Sequence, residues 1–205
     1  MLQTPLNRVG RRREKTRRVL LEVALGLFYE KGIYWTKIED ITERADIGKG
    51  TFYQYFETKE ALLRALLQQG LDELLARMTA GIRLVKPGPK AVDGLIRGQL
   101  DFYLENPEYL LLFHQVRGLL QLKTQPAKDL REVYDAYLDR LAQIVRPALN
   151  GKGGHPISAR DIAVALSAYT SGLLTYSLLF GKAGDFKRRR ESIQGHLERS
   201  IRALT

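Results

Sequence analysis

Side chains able to do covalent chemistry are few in this 205-residue chain, and they stand apart. His114, His155 and His196 are widely separated, and cysteine is absent. No glycine-rich loop follows a strand pattern, and no paired carboxylates offer acid–base work. The chain therefore reads as no enzyme, with no catalytic residue, no metal site and no cofactor expected. The chemistry its spacing does support is recognition. Residues 36–56, TKIEDITERADIGKGTFYQYF, gather Lys49, Thr51, Tyr53, Gln54 and Tyr55 within seven positions. These are donors for phosphate oxygens and, at Gln54, an amide able to pair with adenine in a major groove. Phe52 and Phe56 lie four apart, so they share one helical face and can enter a core.

Two short helices with a tight turn must position that group. Thr36 and Glu39 have the S/T-x-x-E spacing of a capping box at the first helix start. Ile38 and Ile41 follow at helical spacing, with Ala45 one turn on. Asp46 falls where the chain turns, and Asp tolerates left-handed backbone better than most residues. Gly48 can cap the second helix, and Gly50 permits close approach of another backbone. The pattern is a helix-turn-helix whose second helix is short, polar and aromatic-tipped, a shape suited to a DNA major groove.

The stretch resembles the DNA-binding domain of the TetR family of bacterial transcriptional regulators. The matching pieces are Thr36-x-x-x-Asp40-Ile41, Ile47-Gly48-Lys49-Gly50-Thr51-Phe52-Tyr53-x-Tyr55-Phe56 and Thr58-Lys59-Glu60-Ala61-Leu62, within the first third of the chain. The resemblance implies phosphate contacts from Thr36, Lys37 and Lys59. It places Gly48, Lys49, Gly50 and Thr51 at the start of the recognition helix, and Tyr53, Gln54 and Tyr55 at positions that meet bases and backbone. Asp46 departs from the more usual glycine of the turn. The resemblance also implies a homodimer formed through the last two long helices, the eighth and ninth. It further implies a palindromic operator, a small-molecule effector bound in the helical C-terminal domain, and repression as the usual outcome. An architectural DNA-binding protein without an effector is the alternative.

Composition agrees with a folded, nucleic-acid-binding chain. Hydrophobic residues make up 44%, and the net charge is +10. Residues 1–82 carry 14 basic and 11 acidic side chains, and seven of the basic ones fall within the first 18 residues against a single acid, Glu14. A basic arm, rather than overall charge, must then supply attraction to phosphates or enter a minor groove. Free of DNA, such an arm is expected to be solvated and disordered. Residues 1–18 are too polar for a signal segment, and with no cysteine the cytoplasm is the expected location.

Helical periodicity extends through the rest of the chain. A first helix is expected from about Arg12 to Lys31, stopped by Gly32, with Trp35 packing against it. A fourth is expected from Thr58 to about Ile82. Lys86-Pro87-Gly88-Pro89-Lys90 then breaks the pattern, which sets the expected domains at 1–82 and 83–205. Five more helices follow, the eighth starting at Ser158 with Asp161 three residues on, and Lys187-Arg188-Arg189-Arg190 opens the ninth. Residues 162–181 hold no charge, yet Ser167, Thr170, Ser171, Thr175 and Ser177 argue for burial within protein rather than a membrane span. Leu197, Ile201 and Leu204 give the ninth helix an apolar edge. The expected class is all-α, about nine helices: an N-terminal three-helix DNA-binding domain and a C-terminal helical ligand-binding and dimerisation domain. Tyr103, Phe113, His114, Arg117, Tyr134, Tyr137, Tyr169 and Tyr176 are the candidate effector lining, for an apolar or anionic ligand.

Overall fold

A computed structural model of the chain describes residues 8–82, 86, 89–148, 158–181 and 190–202. These residues form nine helices and no strand: α1 (Arg8–Lys31), α2 (Ile38–Arg44), α3 (Lys49–Tyr53), α4 (Lys59–Ile82), α5 (Pro89–Glu105), α6 (Pro107–Leu119), α7 (Gln125–Ala148), α8 (Ala159–Phe180) and α9 (Arg190–Arg202). The chain is all-α, as expected. Residues 1–7, most of the Pro-Gly connector, the Asn150–Gly154 run, His155, Lys187–Arg189 and Leu204 lie outside the described residues. Packing divides the chain between Leu66 and Leu67, inside α4, whereas residue 82 is where that helix ends.

In the N-terminal unit, α1 buries Leu20, Leu21, Ala24, Leu27 and Phe28 on one stripe. They join Ile41 of α2, Phe52 of α3, Phe56, and Leu62, Leu63 and Leu66 of α4. The helix begins at Arg8, not about Arg12. Arg8, Arg11, Arg12 and Lys15 are therefore exposed on a helix, at spacings of three and four that put them along one side. That corrects the expected disordered arm over its described part. Gly32 stops α1 with φ 86°, and its amide donates to the Phe28 carbonyl at 3.0 Å. Arg44 donates to both carboxylate oxygens of Glu30 at 2.7 Å, tying the ends of α1 and α2.

In the C-terminal unit, α8 packs against α5, α6 and α7, and α9 lies on α5 and α8. Ser158 caps α8: its hydroxyl accepts the Asp161 amide at 3.1 Å and donates to the Asp161 carboxylate at 2.6 Å. Ile162, Ala163, Leu166, Ser167, Thr170, Ser171, Leu174 and Thr175 face inward. The opposite side, Val164, Ala168, Gly172, Tyr176, Leu179 and Phe180, is exposed, with Phe180 73% accessible. α8 is long and apolar enough to cross a membrane, but half of its circumference is packed into this unit. Ile193 and Leu197 bury the inner edge of α9. A close seam joins α4 to α5. A Cβ on Gly94 would meet the Gly81 carbonyl oxygen at 2.5 Å, and one on Gly98 the Arg77 carbonyl oxygen at 2.7 Å.

Candidate functional site

The turn between α2 and α3 depends on one left-handed residue. Asp46 has φ 53°, the only non-glycine among the described residues in that region. Its amide donates to the Glu43 carbonyl at 3.1 Å and that of Ile47 to the Thr42 carbonyl at 3.0 Å, closing the corner. Gly48 then serves as N-cap of α3 with φ −73°. Phe52 points inward and is fully buried, its ring 6.0 Å from that of Phe56, while the Arg17 guanidinium lies 5.6 Å above Phe56. With Phe52 anchored, Lys49, Gly50, Tyr53 and Gln54 are left exposed, and Thr51 and Tyr55 half-buried. Nothing in the protein lies within 4 Å of a Cβ placed on Gly48 or Gly50. The expected internal backbone approach at Gly50 is thus not made; the open space faces outward. α3 itself ends at Tyr53, and Gln54 occupies its C-cap.

The start of α2 is built differently from the expected capping box. Asp40, not Glu39, closes it, accepting the Lys37 amide at 2.7 Å. Thr36 is fully buried and donates to the Gly32 carbonyl at 2.8 Å, so its hydroxyl is committed inside the protein. Lys59 also turns inward, donating from Nζ to the carbonyls of Ile33 at 2.9 Å and Thr36 at 2.8 Å. It clamps the α1–α2 connection to the start of α4. Lys37 remains exposed.

Electrostatics within the motif are paired. Glu39 forms an ion pair with Lys49. The hydrogen bond from Lys49 holds the Glu39 carboxyl below its ordinary value, and Glu39 in turn raises the Lys49 ammonium. Asp40 is held low first by Lys31, 2.7 Å away, and then by the Lys37 amide. The Lys49 charge thus sits ready at the exposed end of α3, partnered by a carboxylate that an incoming phosphate can replace.

The connection between α1 and α2 presents two exposed aromatics. Trp35, expected against α1, is 71% exposed, and Tyr34 is 82% exposed. Their rings meet edge-to-face at 5.0 Å. Tyr34 shares a concave surface of about 420 Å³ with Lys37, Glu39, Tyr53 and Lys59.

In the C-terminal unit the candidate lining separates into two groups. Tyr103, Phe113 and Tyr137 are buried, and Tyr134 is half-buried. The hydroxyls of Tyr134 and Tyr137 lie 3.3 and 3.5 Å from Ser167 Oγ, and Arg117 donates to Ser171 Oγ. Burial pushes the Tyr103 and Tyr137 hydroxyls well above the ordinary phenol value. His114 is exposed, outside the buried group. Tyr169 and Tyr176 lie on the exposed side of α8, stacked with His196 at 6.2 Å and against Phe180 at 4.8 Å. They stand apart from the buried group because α8 turns them to its other face.

A family model described as "Bacterial regulatory proteins, tetR family" matches residues 20–66, the span from α1 into α4 that contains the turn and α3. The N-terminal domain belongs to the TetR family. Over 106 residues the chain is 34% identical to the uncharacterized HTH-type transcriptional regulator YuxN of Bacillus subtilis, covering 52% of this chain and 34% of that protein. The chain spans between about a third and 61% of the length of the first curated relatives it matches. Among solved structures, the fatty acid degradation regulator FadR of Bacillus halodurans has a TM-score of 0.75 at 16% identity, covering 89% of this chain and 94% of its own. A transcriptional regulator from Saccharomonospora viridis in complex with choline has a TM-score of 0.71 at 22% identity, covering 92% and 96%. At these identities the likeness establishes a shared fold across both units. These relatives are named as regulators, and none as an enzyme. The TetR-type motif was legible from Thr36 to Leu62. Its outer edge at Tyr34 and Trp35 was not, because an aromatic beside a helix end reads equally as core or surface.

Proposed function

We propose that the chain is a bacterial, cytoplasmic, sequence-specific transcriptional regulator, a homodimer that represses by holding a palindromic operator and lets go when a small effector binds. The observation that carries the reading is the anchoring of Phe52, which leaves Lys49, Gly50, Tyr53 and Gln54 free on one outward end of α3. In this reading residues 1–82 bind DNA and residues 83–205 bind the effector and dimerise. Lys49 trades Glu39 for a phosphate or a guanine edge. Gly48 and Gly50 let the backbone come close, and Gln54 reads an adenine. Thr51, Tyr53, Tyr55 and Lys37 hold the backbone, and Tyr34 and Trp35 extend that edge. Thr36 and Lys59 act by fixing the start of α2, since their polar atoms bond internally. The exposed apolar side of α8 faces its copy in the partner subunit, with α9 beside it. The effector occupies the buried group around Tyr103 and Tyr137, and it acts by favouring dimers whose half-site spacing no longer fits the operator.

Trp35, the only tryptophan, gives a direct test. Sheared duplex DNA is expected to quench its emission, and the Lys49→Ala/Tyr53→Ala variant to lose that quench at equal DNA concentration. Equal quenching by both proteins would remove α3 from the interface. Binding seen by anisotropy without any quench would remove Trp35 from it.

A further inference from the structure

Gln99 of α5 is wholly buried, and neither its amide nitrogen nor its amide oxygen makes a hydrogen bond of ordinary geometry; the Tyr103 hydroxyl is a polar neighbour, in a weak contact that leaves most of the amide's capacity unused. The Thr170 hydroxyl, on the inner face of α8, is buried and unpartnered. A polar group left so is costly, because it gave up water and received little in return. Native chains rarely keep such groups without a use for them.

The surroundings say what the use would be. The Tyr103 hydroxyl, one turn beyond Gln99, lies beside that amide and within the electrostatic reach of Arg117, Tyr134 and Tyr137. Four helices, α5 to α8, therefore converge on one polar cluster. It holds one fixed cation, Arg117, whose bond is to the neutral Ser171. No carboxylate among the described residues pairs with it. Three acids on these helices are engaged elsewhere: Glu105 with Arg77, and Asp135 and Asp139 with Arg160. The tyrosine hydroxyls stay protonated, because burial disfavours their anions, so they can donate. A cation and a set of donors with no resident anion is the complement of a negatively charged guest. It is the opposite of what choline, the ligand of a neighbour with the same fold, requires.

We propose that this cluster takes the carboxylate of a small organic acid, with the Arg117 guanidinium and the Gln99 amide as its two anchors. Arg117 leaves Ser171 for the carboxylate, the Gln99 NH2 donates to its second oxygen, and the Tyr103 and Phe113 rings, which meet edge-to-face at 6.2 Å, form an apolar wall on one side of the ligand body. The inference rests on the reading that the C-terminal domain binds an effector, and it assigns that effector's class. It also gives a route for the response. Ser171 is on the inner face of α8, so exchanging it for a ligand loosens α6 from the helix whose outer face is offered for dimerisation.

The test is thermal unfolding and calorimetry on the full chain without DNA. The probes are straight-chain acids from acetate to palmitate, benzoate and phenylacetate, each against its primary amide, with choline as the cationic comparator. At least one acid is expected to raise the melting temperature of the wild type while its amide and choline do not. Arg117→Gln should weaken that acid tenfold or more, and Arg117→Lys should keep part of the binding. Gln99→Leu should melt higher than the wild type without ligand, since it removes the orphaned amide at similar volume, and should also bind the acid tenfold more weakly. Failure of every acid, equal shifts from acid and amide, or unchanged affinity in a folded Arg117→Lys and Arg117→Gln pair would overturn the assignment. So would a Gln99→Leu protein that melts lower, because the amide would then be supporting the fold. Acid binding with no operator motif would sink the regulator reading alone; an operator released by a ligand other than an acid would sink this one alone.

Discussion

In the proposed reading Lys59 serves DNA binding indirectly, by holding the fold of the motif. Its ammonium bonds two carbonyls of the α1–α2 connection, and hydrogen bonds to a charged group contribute about 1.5–3 kcal/mol each in favourable settings. Lys59→Met, which keeps the apolar stem but removes both bonds, is expected to lose at least about 1.5–3 kcal/mol in urea unfolding and to weaken every duplex alike. A variant with wild-type stability but poor DNA binding would return Lys59 to the phosphate. Gln54→Ala should behave otherwise: preference relaxes at one base-pair position, by about 1–3 kcal/mol, as read from competition between duplexes. Equal loss on all duplexes would remove its readout role. Asp40 carries a pH signature. Its carboxyl is depressed by Lys31 and the Lys37 amide, so its contribution is present above the unfolded value of about 4 and is lost as pH falls through the lower folded value. Wild type should melt above Asp40→Asn at neutral pH, and the two should converge under acid; a constant gap would contradict the cap. The sequence identified Asp40 as a motif residue but misassigned the cap by one position. Thr36 and Lys37 satisfy local spacing equally, and only burial of the Thr36 hydroxyl decides between them.

Among the elements, α1 begins one turn before its expected start at about Arg12 and about three turns before its apolar repeat. Arg8, Arg11, Arg12 and Lys15 then form an exposed stripe on an ordered helix rather than beads on a loose tail. Replacing all four with Gln should leave the fold intact and flatten the dependence of log Kobs on log salt by up to about 0.9 per lost phosphate contact. An unchanged slope would show that the stripe stays off DNA. Sequence periodicity could not find this extension, because a helix with no apolar face has no signal in a hydrophobic pattern. The eighth helix teaches the converse. Its charge-free run marked it as buried nearly all round, but Val164, Tyr176, Leu179 and Phe180 share an exposed side. One chain's sequence records that a surface is apolar, and a single folded copy shows which side remains uncovered. Gly94 and Gly98 belong here too. Their meaning comes from the Arg77 and Gly81 carbonyls 2.5–2.7 Å from where a Cβ would stand, contacts made by a different helix.

For the whole molecule, holding a two-fold operator takes two copies of the chain. Tyr176→Glu with Phe180→Asp should leave helical content unchanged, convert dimers to monomers in light scattering, and reduce operator affinity by tenfold or more, since one half-site alone would then be held. Dimers that persist would move the interface away from α8. The fold class and the recognition motif were legible in the sequence because both rest on local signals: helical period, caps, and a nearly unbroken run from Ile47 to Leu62. The proposed effector cluster was only half legible. Tyr103, Arg117 and Tyr137 stood out by residue type, whereas Gln99 did not, because an orphaned amide is defined by what surrounds it. Sequence-specific binding by a two-fold dimer is tested by selecting bound duplexes from a random pool at about 50 and about 200 mM salt. Two inverted half-sites one helical turn or its multiple apart are expected to be enriched, and to survive at the higher salt. Strongly salt-sensitive binding that enriches no motif would contradict this and mark the chain as an architectural DNA-binding protein.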